Sequence, residues 1–243
     1  MATKVTKPDG YSRHAKALSY AGGRKLSTVI AEVFHYTGNK GDTAKNNADY
    51  FATGNTVKAG AHIFVSRDGS IAYSIPIDKV ANAVGGFYTT VNGAGLQYKK
   101  IANANSVSIE LCDCTTKDPS WEQMLACRKI HLWLKSQCPN LNKVVRHWDV
   151  NGKKCPVRMT GTDNKKWERF LSKVTKNYQY KAKVTKDAAI RSSKGVKPKN
   201  KTGTKKMGQV VKISKVVGNW GRLLEKDSKG RWQWISLKKV REL

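Results

Sequence analysis

Val29-Ile30-Ala31-Glu32-Val33-Phe34-His35 is an apolar run of strand length that ends on an imidazole. With its flanks, Leu26–Tyr36 reads as a buried strand carrying His35 at its C-terminal end. The neighbouring segments set this strand in a wider pattern. Asp42-Thr43 opens a helix with Ala44, Ala48 and Phe51 on one side. His62–Ser66 and Ser70–Ile75 flank Arg67-Asp68-Gly69, and an Asp-Gly pair between alternating segments signals a hairpin. Ser106–Cys112 is a further strand. Asp118-Pro119 supplies an N-cap and first helical residue for a helix reaching to about Cys138, with Trp121, Leu125 and Leu132 on its apolar face. Lys143–His147 is a short strand that again ends on a histidine, and a last helix runs from about Thr162 through Trp167, Phe170, Leu171 and Val174. The class is α/β: a central mixed β-sheet flanked by helices.

After Tyr178 the character changes. Short Val/Ile-rich strands, Val210–Ser214 and Trp232–Leu237, are separated by turns rich in Gly, Asn and Lys, and Lys194–Met207 reads as a long basic loop. Strands of this length without helical periodicity predict a small β-barrel module, with a boundary near 173–181. Trp220, Trp232 and Trp234 are expected in its core rather than as a ligand platform.

A chain of 243 residues with 39% hydrophobic side chains and seven Trp has ample material for packed cores, which excludes disorder throughout. Its formal net charge is +29 and unevenly spread. From Lys173 onward there are 21 Lys/Arg against four Asp/Glu, a surplus of 17 over 71 residues, leaving +12 for the rest. Such a field draws the protein toward a polyanion: nucleic acid, a membrane surface or an anionic wall polymer. No recognition helix or RNA-binding signature accompanies the charge.

Met1 to Tyr11 holds no apolar segment of the kind a secretory signal needs, and no 18-residue apolar run could cross a bilayer. The expectation is a cytosolic product with reduced thiols. Cys112 and Cys114 stand too close for a comfortable disulfide, and Cys127 and Cys138 lie in a helical pattern where buried thiols are common. Cys155 is left as the cysteine with an unusual setting.

That setting is Arg146-His147-Trp148-Asp149-Val150-Asn151-Gly152-Lys153-Lys154-Cys155-Pro156-Val157-Arg158. It places an imidazole and a thiol eight positions apart, with Lys153 two residues before the sulfur. Added to His35, this makes two His and one Cys, a set that leaves a fourth position open, as in hydrolytic rather than structural zinc sites. Both histidines arrive at predicted strand ends, where α/β sheets concentrate their sites.

Phe34-His35-Tyr36-Thr37, Ala61-His62-Ile63-Phe64-Val65-Ser66-Arg67-Asp68-Gly69, Val107-Ser108-Ile109-Glu110 and the His147–Pro156 element follow one another as in the type-2 N-acetylmuramoyl-L-alanine amidases. The chain resembles that family, which includes phage endolysins and peptidoglycan recognition proteins, over roughly residues 20–175. The tail resembles a bacterial SH3-like cell-wall-binding module through Ala189-Ile190-Arg191-Ser192, Asn219-Trp220-Gly221 and Trp234-Ile235-Ser236. The resemblance implies a zinc amidase domain over 1–175 and an SH3-like wall-binding domain over 176–243. It implies cleavage of the amide between N-acetylmuramic acid and L-alanine of the stem peptide, as in a phage endolysin lysing a Gram-positive host.

By the same likeness His35, His147 and Cys155 hold Zn2+, Lys153 is the catalytic lysine that stabilises the developing oxyanion, and Glu110 is the general base. The implied partners are bacterial peptidoglycan and an anionic cell-wall polymer, with no specific nucleic acid and no membrane insertion. An endolysin without a signal waits in the host cytoplasm until a separate route takes it to the wall. The alternative is a non-catalytic peptidoglycan-binding protein; such relatives typically lose the metal-bound cysteine, and Cys155 is present. One departure stands out: some relatives place a tyrosine directly before the hairpin histidine, and here that residue is Ala61, which shifts the base role toward Glu110. His62 is read as structural or facing the substrate, Asp149 as orienting its loop, and His131 and His14 as structural or solvated without a partner. Ala81–Gly86 is either a substrate-facing loop or an ordinary turn.

Overall fold

The computed structural model describes residues 5–175 and 180–243. The chain divides into two compact units, Met1–Val174 and Thr175–Leu243. Tyr178, where the sequence changes character, lies outside the described residues, as do 1–4 at the N-terminus.

In the first unit the elements follow as β1 (Tyr11–Ser12), β2 (Tyr20–Gly23), β3 (Ala31–Tyr36), α1 (Ala44–Asp49), β4 (Ile63–Val65), β5 (Ile71–Tyr73), β6 (Lys79–Ala81), β7 (Ser106–Leu111), α2 (Trp121–Gln137), β8 (Lys143–Arg146), α3 (His147–Asn151) and α4 (Lys165–Thr175). Six strands form one sheet in the order β1-β5-β4-β7-β3-β8. The β4–β5 hairpin is antiparallel, while β3 runs parallel to both β7 and β8. The sheet is therefore mixed. At the hairpin turn Gly69 adopts φ +83°, and a Cβ there would stand 2.9 Å from the Glu122 carbonyl.

Alternation along each strand sorts the side chains onto two faces. One face turns Phe34, Ile63, Val65, Val107 and Ile109 against Met124, Ile130 and Leu134 of α2 and Trp167 and Phe170 of α4, forming the larger core. Against the other face, Ala44 and Ala48 of α1 cover Phe64 and Ala72. Val84, Ile101 and Val150 cover Ala31 and Val33 beside them. His35 and Glu110 are register partners on β3 and β7, so they share this second face near the strands' C-terminal ends.

Several elements differ from the sequence reading for local reasons. Leu26–Thr28 is a 3-10 turn rather than strand, held by the Thr28 N–H and hydroxyl, both donating to the Lys25 carbonyl. The long helix starts later than Asp118-Pro119 predicts: Ser120 is its N-cap, accepting the Gln123 N–H at 3.0 Å. Leu132 points away from the core and is 37% exposed, because Ile130 and Leu134 already set the buried face. β8 stops at Arg146, and His147 is the first residue of a helical turn instead of the last of a strand. The last helix begins at Lys165, whose N–H donates to the Asp163 carboxylate at 3.0 Å.

The second unit is a seven-stranded antiparallel sheet of β9 (Tyr180–Val184), β10 (Ala188–Arg191), β11 (Lys201–Lys205), β12 (Val210–Val217), β13 (Trp220–Lys226), β14 (Trp232–Ser236) and β15 (Val240–Glu242). The strand order is β11-β10-β14-β13-β12-β9-β15. Its inward positions are Ala182, Val184, Ile190, Val211, Ile213, Leu223 and Ile235, all buried. The basic segment Lys194–Met207 is not all loop. Its last part is β11, drawn into strand by antiparallel pairing with β10 despite a composition of Lys, Thr and Gly. Trp232 is no core residue either. It is 38% exposed, with the Arg222 guanidinium 4.0 Å and the Lys226 ammonium 4.8 Å from its ring centroid, while Trp220 and Trp234 are half-buried.

Candidate metal centre

Three chain segments converge above the C-terminal ends of β3 and β7. β3 delivers His35, the turn from β8 into α3 delivers His147, and the return after α3 delivers Cys155. The His35 and His147 rings meet edge to face with centroids 4.6 Å apart, and Cys155 Sγ lies 3.8 Å from His35 Nδ1. One nitrogen from each imidazole and the sulfur all lie within 4.8 Å of one another, and all three residues are buried.

Both ends of α3 are fixed. At its start the Asp149 carboxylate accepts the Arg146 backbone N–H at 2.7 Å and pairs with the Arg146 guanidinium at 2.6 Å. That guanidinium also donates to the Met159 carbonyl and the Asn164 side chain, and it lies over the Trp167 ring. Asp149 thus orients the turn, and Arg146 is the partner the sequence reading missed; an acidic residue three positions into a helix is the signal that marks it. At the far end Gly152 takes φ +86°, and a Cβ there would meet the Thr89 carbonyl oxygen at 2.0 Å. This contact belongs to a loop that rides on α3, with the Tyr88 N–H donating to the Asn151 carbonyl and Asn151 Nδ2 donating to the Gly85 carbonyl. The Ala81–Gly86 segment is thereby tied beside the convergence point.

Burial governs the electrostatics. It holds His35 far below the ordinary imidazole range, assisted by His147, Lys153 and His62, and it brings His147 to about 3 with help from Lys153. Burial also raises Glu110 to about 8; Lys153 opposes the rise and Asp42 adds to it. The Cys155 thiol is pushed well above its usual range by burial and by Glu110, against a Tyr36 backbone hydrogen bond and the Lys153 charge that favour thiolate. Glu110 Oε1 stands 4.0 Å from His35 Nδ1, too far for a hydrogen bond and facing a neutral ring. Lys153 itself is exposed, directly after the Gly152 turn, so its ammonium stays solvated while its field reaches all four groups.

Among the described residues, both His147 ring nitrogens, His35 Nε2 and Glu110 Oε2 are buried without a hydrogen-bond partner. Each such atom costs about 1–3 kcal/mol if left unsatisfied. Two neutral imidazoles and a carboxylate with unpartnered atoms, set beside a sulfur, fit a borderline-soft cation such as zinc.

The remaining titratable groups are accounted for elsewhere. His62 Nδ1 accepts the Ser108 backbone N–H at 3.0 Å, which leaves Nε2–H to donate to the Lys79 carbonyl at 3.0 Å. Burial and the nearby Arg24 charge bring its pKa to about 3, so it is a neutral structural residue. His131, expected to lack a partner, has one: its Nδ1 lies 2.9 Å from Glu32 Oε1 beneath α2. His14 is exposed. Ala61 is buried with Ala44, Ala48 and Phe64. All five cysteines are free and buried.

The family model for N-acetylmuramoyl-L-alanine amidase, Amidase_2, matches residues 26–158, which span every residue of the convergence point. The chain belongs to the Amidase_2 family. It is 33% identical over 151 residues to the N-acetylmuramoyl-L-alanine amidase BlyA of Bacillus subtilis (strain 168), across 59% of this chain and 40% of that protein. The chain therefore matches only about two fifths of that relative's length. Among solved structures, PlyL superposes with a TM-score of 0.53 at 23% identity, covering 70% of this chain and 99% of PlyL. The endolysin amidase LysCS from Clostridium intestinale URNW superposes with a TM-score of 0.50 at 19% identity, covering 70% and 97%. At those identities the superpositions establish the fold: a mixed sheet flanked by helices, followed here by a separate antiparallel unit that the family model does not reach. Among the described residues no helix is long and apolar enough to cross a membrane.

Proposed function

We propose that this chain is a zinc-dependent peptidoglycan hydrolase that cleaves the amide between N-acetylmuramic acid and the L-alanine of the stem peptide, in the manner of a phage endolysin acting on a Gram-positive wall. The observation behind this reading is the buried trio of His35, His147 and Cys155 inside the family-matched segment, with three of its ring nitrogens lacking a hydrogen-bond partner. These three residues would hold the metal. Zinc so held supplies Lewis-acid chemistry, polarising a carbonyl and making water acidic enough to attack near neutral pH.

The chain's own groups do the rest. Glu110, inward on β7 beside His35, takes the proton of the attacking water and returns it to the leaving amine. Its burial keeps its proton affinity close to the working pH, where a general base is most effective. Lys153 offers an ammonium whose field already reaches His35, His147 and Glu110, and it stabilises the negative oxygen that develops as the amide carbon becomes tetrahedral. With alanine at position 61 no tyrosine hydroxyl assists there, so Glu110 carries the base role alone.

In this reading the domain over 1–175 performs hydrolysis, and the domain over 176–243 is an SH3-like module drawn to the wall's anionic polymer by its 20 Lys/Arg against four Asp/Glu, a surplus of 16 positive charges. The protein accumulates in the host cytoplasm and reaches the wall once the membrane is breached. The test is digestion of purified Gram-positive peptidoglycan. New amino termini on L-alanine without new reducing sugars are expected, with activity lost to a strong chelator and regained with zinc. Free reducing ends, or full clearing without metal, would remove the assignment; binding without any cleavage would leave a non-catalytic wall-binding protein. Glu110→Gln is expected to abolish turnover while leaving zinc content unchanged, and an active mutant would take Glu110 out of the mechanism.

A further inference from the structure

Within the second unit, register places cations beside cations. Lys181 on β9 lies opposite Lys212 on β12, and Lys183 on β9 lies opposite Arg241 on β15. All four side chains are exposed, whereas the intervening Tyr180, Ala182 and Val184 are buried, so the four share one outer face. They form a diagonal, Lys212–Lys181–Lys183–Arg241, stepping about 5 Å between strands and about 7 Å along β9. Among the described residues none of the four makes an ion pair or a side-chain hydrogen bond with the rest of the chain. Of the unit's four acidic side chains, Asp187 pairs with Lys206 and Asp227 with Arg231. Like charges directly opposite one another on a sheet oppose folding. A surface that needed only solubility could place them apart or alternate them with acids.

From this geometry we infer that the outer face of β12, β9 and β15 is the docking track for a linear phosphodiester polymer of the cell wall. The inference rests on the wall-directed reading above and names the face and the anion that the second unit uses. The reasoning is charge complementarity. Four unpaired cations in a line meet successive phosphates of a flexible chain in series, and each contact relieves a like-charge pair while releasing a counterion. A polyol phosphate fits better than a nucleic acid, since the diagonal carries no aromatic side chain on which bases would stack. The aromatic–cation cluster of Trp232 with Arg222 and Lys226 belongs to β13 and β14 instead.

The experiment compares three full-length proteins: the wild type, a face variant (Lys181→Gln, Lys183→Gln, Lys212→Gln, Arg241→Gln) and a control variant (Lys194→Gln, Lys197→Gln, Lys199→Gln, Lys229→Gln). The two variants lose equal charge, and every substituted residue is exposed. The probe is purified Gram-positive wall before and after hydrofluoric acid removes its phosphodiester polymer. Expected results are tighter binding of wild type to intact than to stripped walls, a loss of about tenfold or more in the face variant with a shallower salt dependence, and a loss under about threefold in the control. The face variant is expected to melt no lower than wild type, and to keep wild-type cleavage of soluble muropeptides. Equal losses in the two variants would overturn the track in favour of a diffuse field. Equal binding of wild type to intact and stripped walls would overturn the phosphodiester ligand while leaving the wall reading in place. Duplex or single-stranded DNA held as tightly as the wall, with the same face dependence, would make the ligand a nucleic acid and overturn the inference. Failure to bind any wall preparation would sink both this inference and the reading it rests on.

Discussion

The rings of His35 and His147 meet edge to face, centroids 4.6 Å apart and planes inclined by 64°. Both are buried, and burial holds both neutral across the physiological range, so the pair avoids two like charges at contact distance. Neutral rings with unpaired nitrogens are what a metal needs and what an apolar core does not tolerate. Zinc at about 1,000 times its Kd is therefore expected to add about 4 kcal/mol to stability. That corresponds to roughly 8–16 °C in Tm for a domain of this size, read by thermal melts with zinc and with chelator. Cys155→Ala is expected to remove most of the shift. A Tm that ignores zinc would remove these residues from metal binding.

Gly152 and Thr89 give a prediction independent of metal. The αL conformation at Gly152 closes α3, and the Thr89 carbonyl occupies the space where a side chain would begin. Gly152→Ala is expected to cost about 2–4 kcal/mol, from αL strain plus displacement of backbone. The same change shifts the loop bearing Gly85 and Tyr88, and with it the segment that presents Lys153. Chemical denaturation and peptidoglycan turnover should both fall; an unaffected protein would mean that Thr89 moves freely.

How much of this was legible in the sequence depends on the range of each interaction. His35 was readable because it closes an apolar run of strand length, Glu110 through the family resemblance, and the His147–Cys155 spacing because both lie on one short segment. Local competition hid the boundaries. Ser120 outcompetes Asp118-Pro119 as a helix cap because its hydroxyl reaches the Gln123 N–H, and Asp149 turns His147 from a strand end into a helix start. β11 forms because β10 offers it a hydrogen-bonding edge, which no property of Lys201–Lys205 announces. The Glu32–His131 pair joins residues 99 positions apart, a separation at which sequence pattern is silent.

That pair makes the third prediction. Glu32 is fully buried, and His131 Nδ1 lies 2.9 Å from Oε1 of its carboxylate. His131→Leu is expected to destabilise the protein by about 3 kcal/mol or more, because a buried carboxylate is stranded. The double variant Glu32→Leu with His131→Leu removes the charge as well, and it is expected to be more stable than the single one. Urea unfolding of the wild type, both single variants and the double variant measures the coupling directly. A double variant worse than His131→Leu would show that the carboxylate is not the source of the cost.

The brace at the start of α3 sets the last expectation. Asp149 holds the Arg146 backbone N–H and guanidinium together, and Arg146 in turn grips the Met159 carbonyl and Asn164. His147 follows Arg146 directly, so its ring direction depends on this clamp although neither residue touches it. Asp149→Ala removes both contacts of the carboxylate and is expected to weaken zinc affinity roughly 10–100-fold, the usual effect of losing a group that orients a ligand. Competition against a chromophoric chelator reads the affinity, and far-ultraviolet circular dichroism reports whether the fold persists. Asp149→Asn keeps an acceptor for the Arg146 N–H while losing the ion pair, so its affinity should fall between the two. If Asp149→Ala binds zinc as tightly as the wild type, the clamp serves stability alone and His147 is positioned by the packing of Trp148 and Val150.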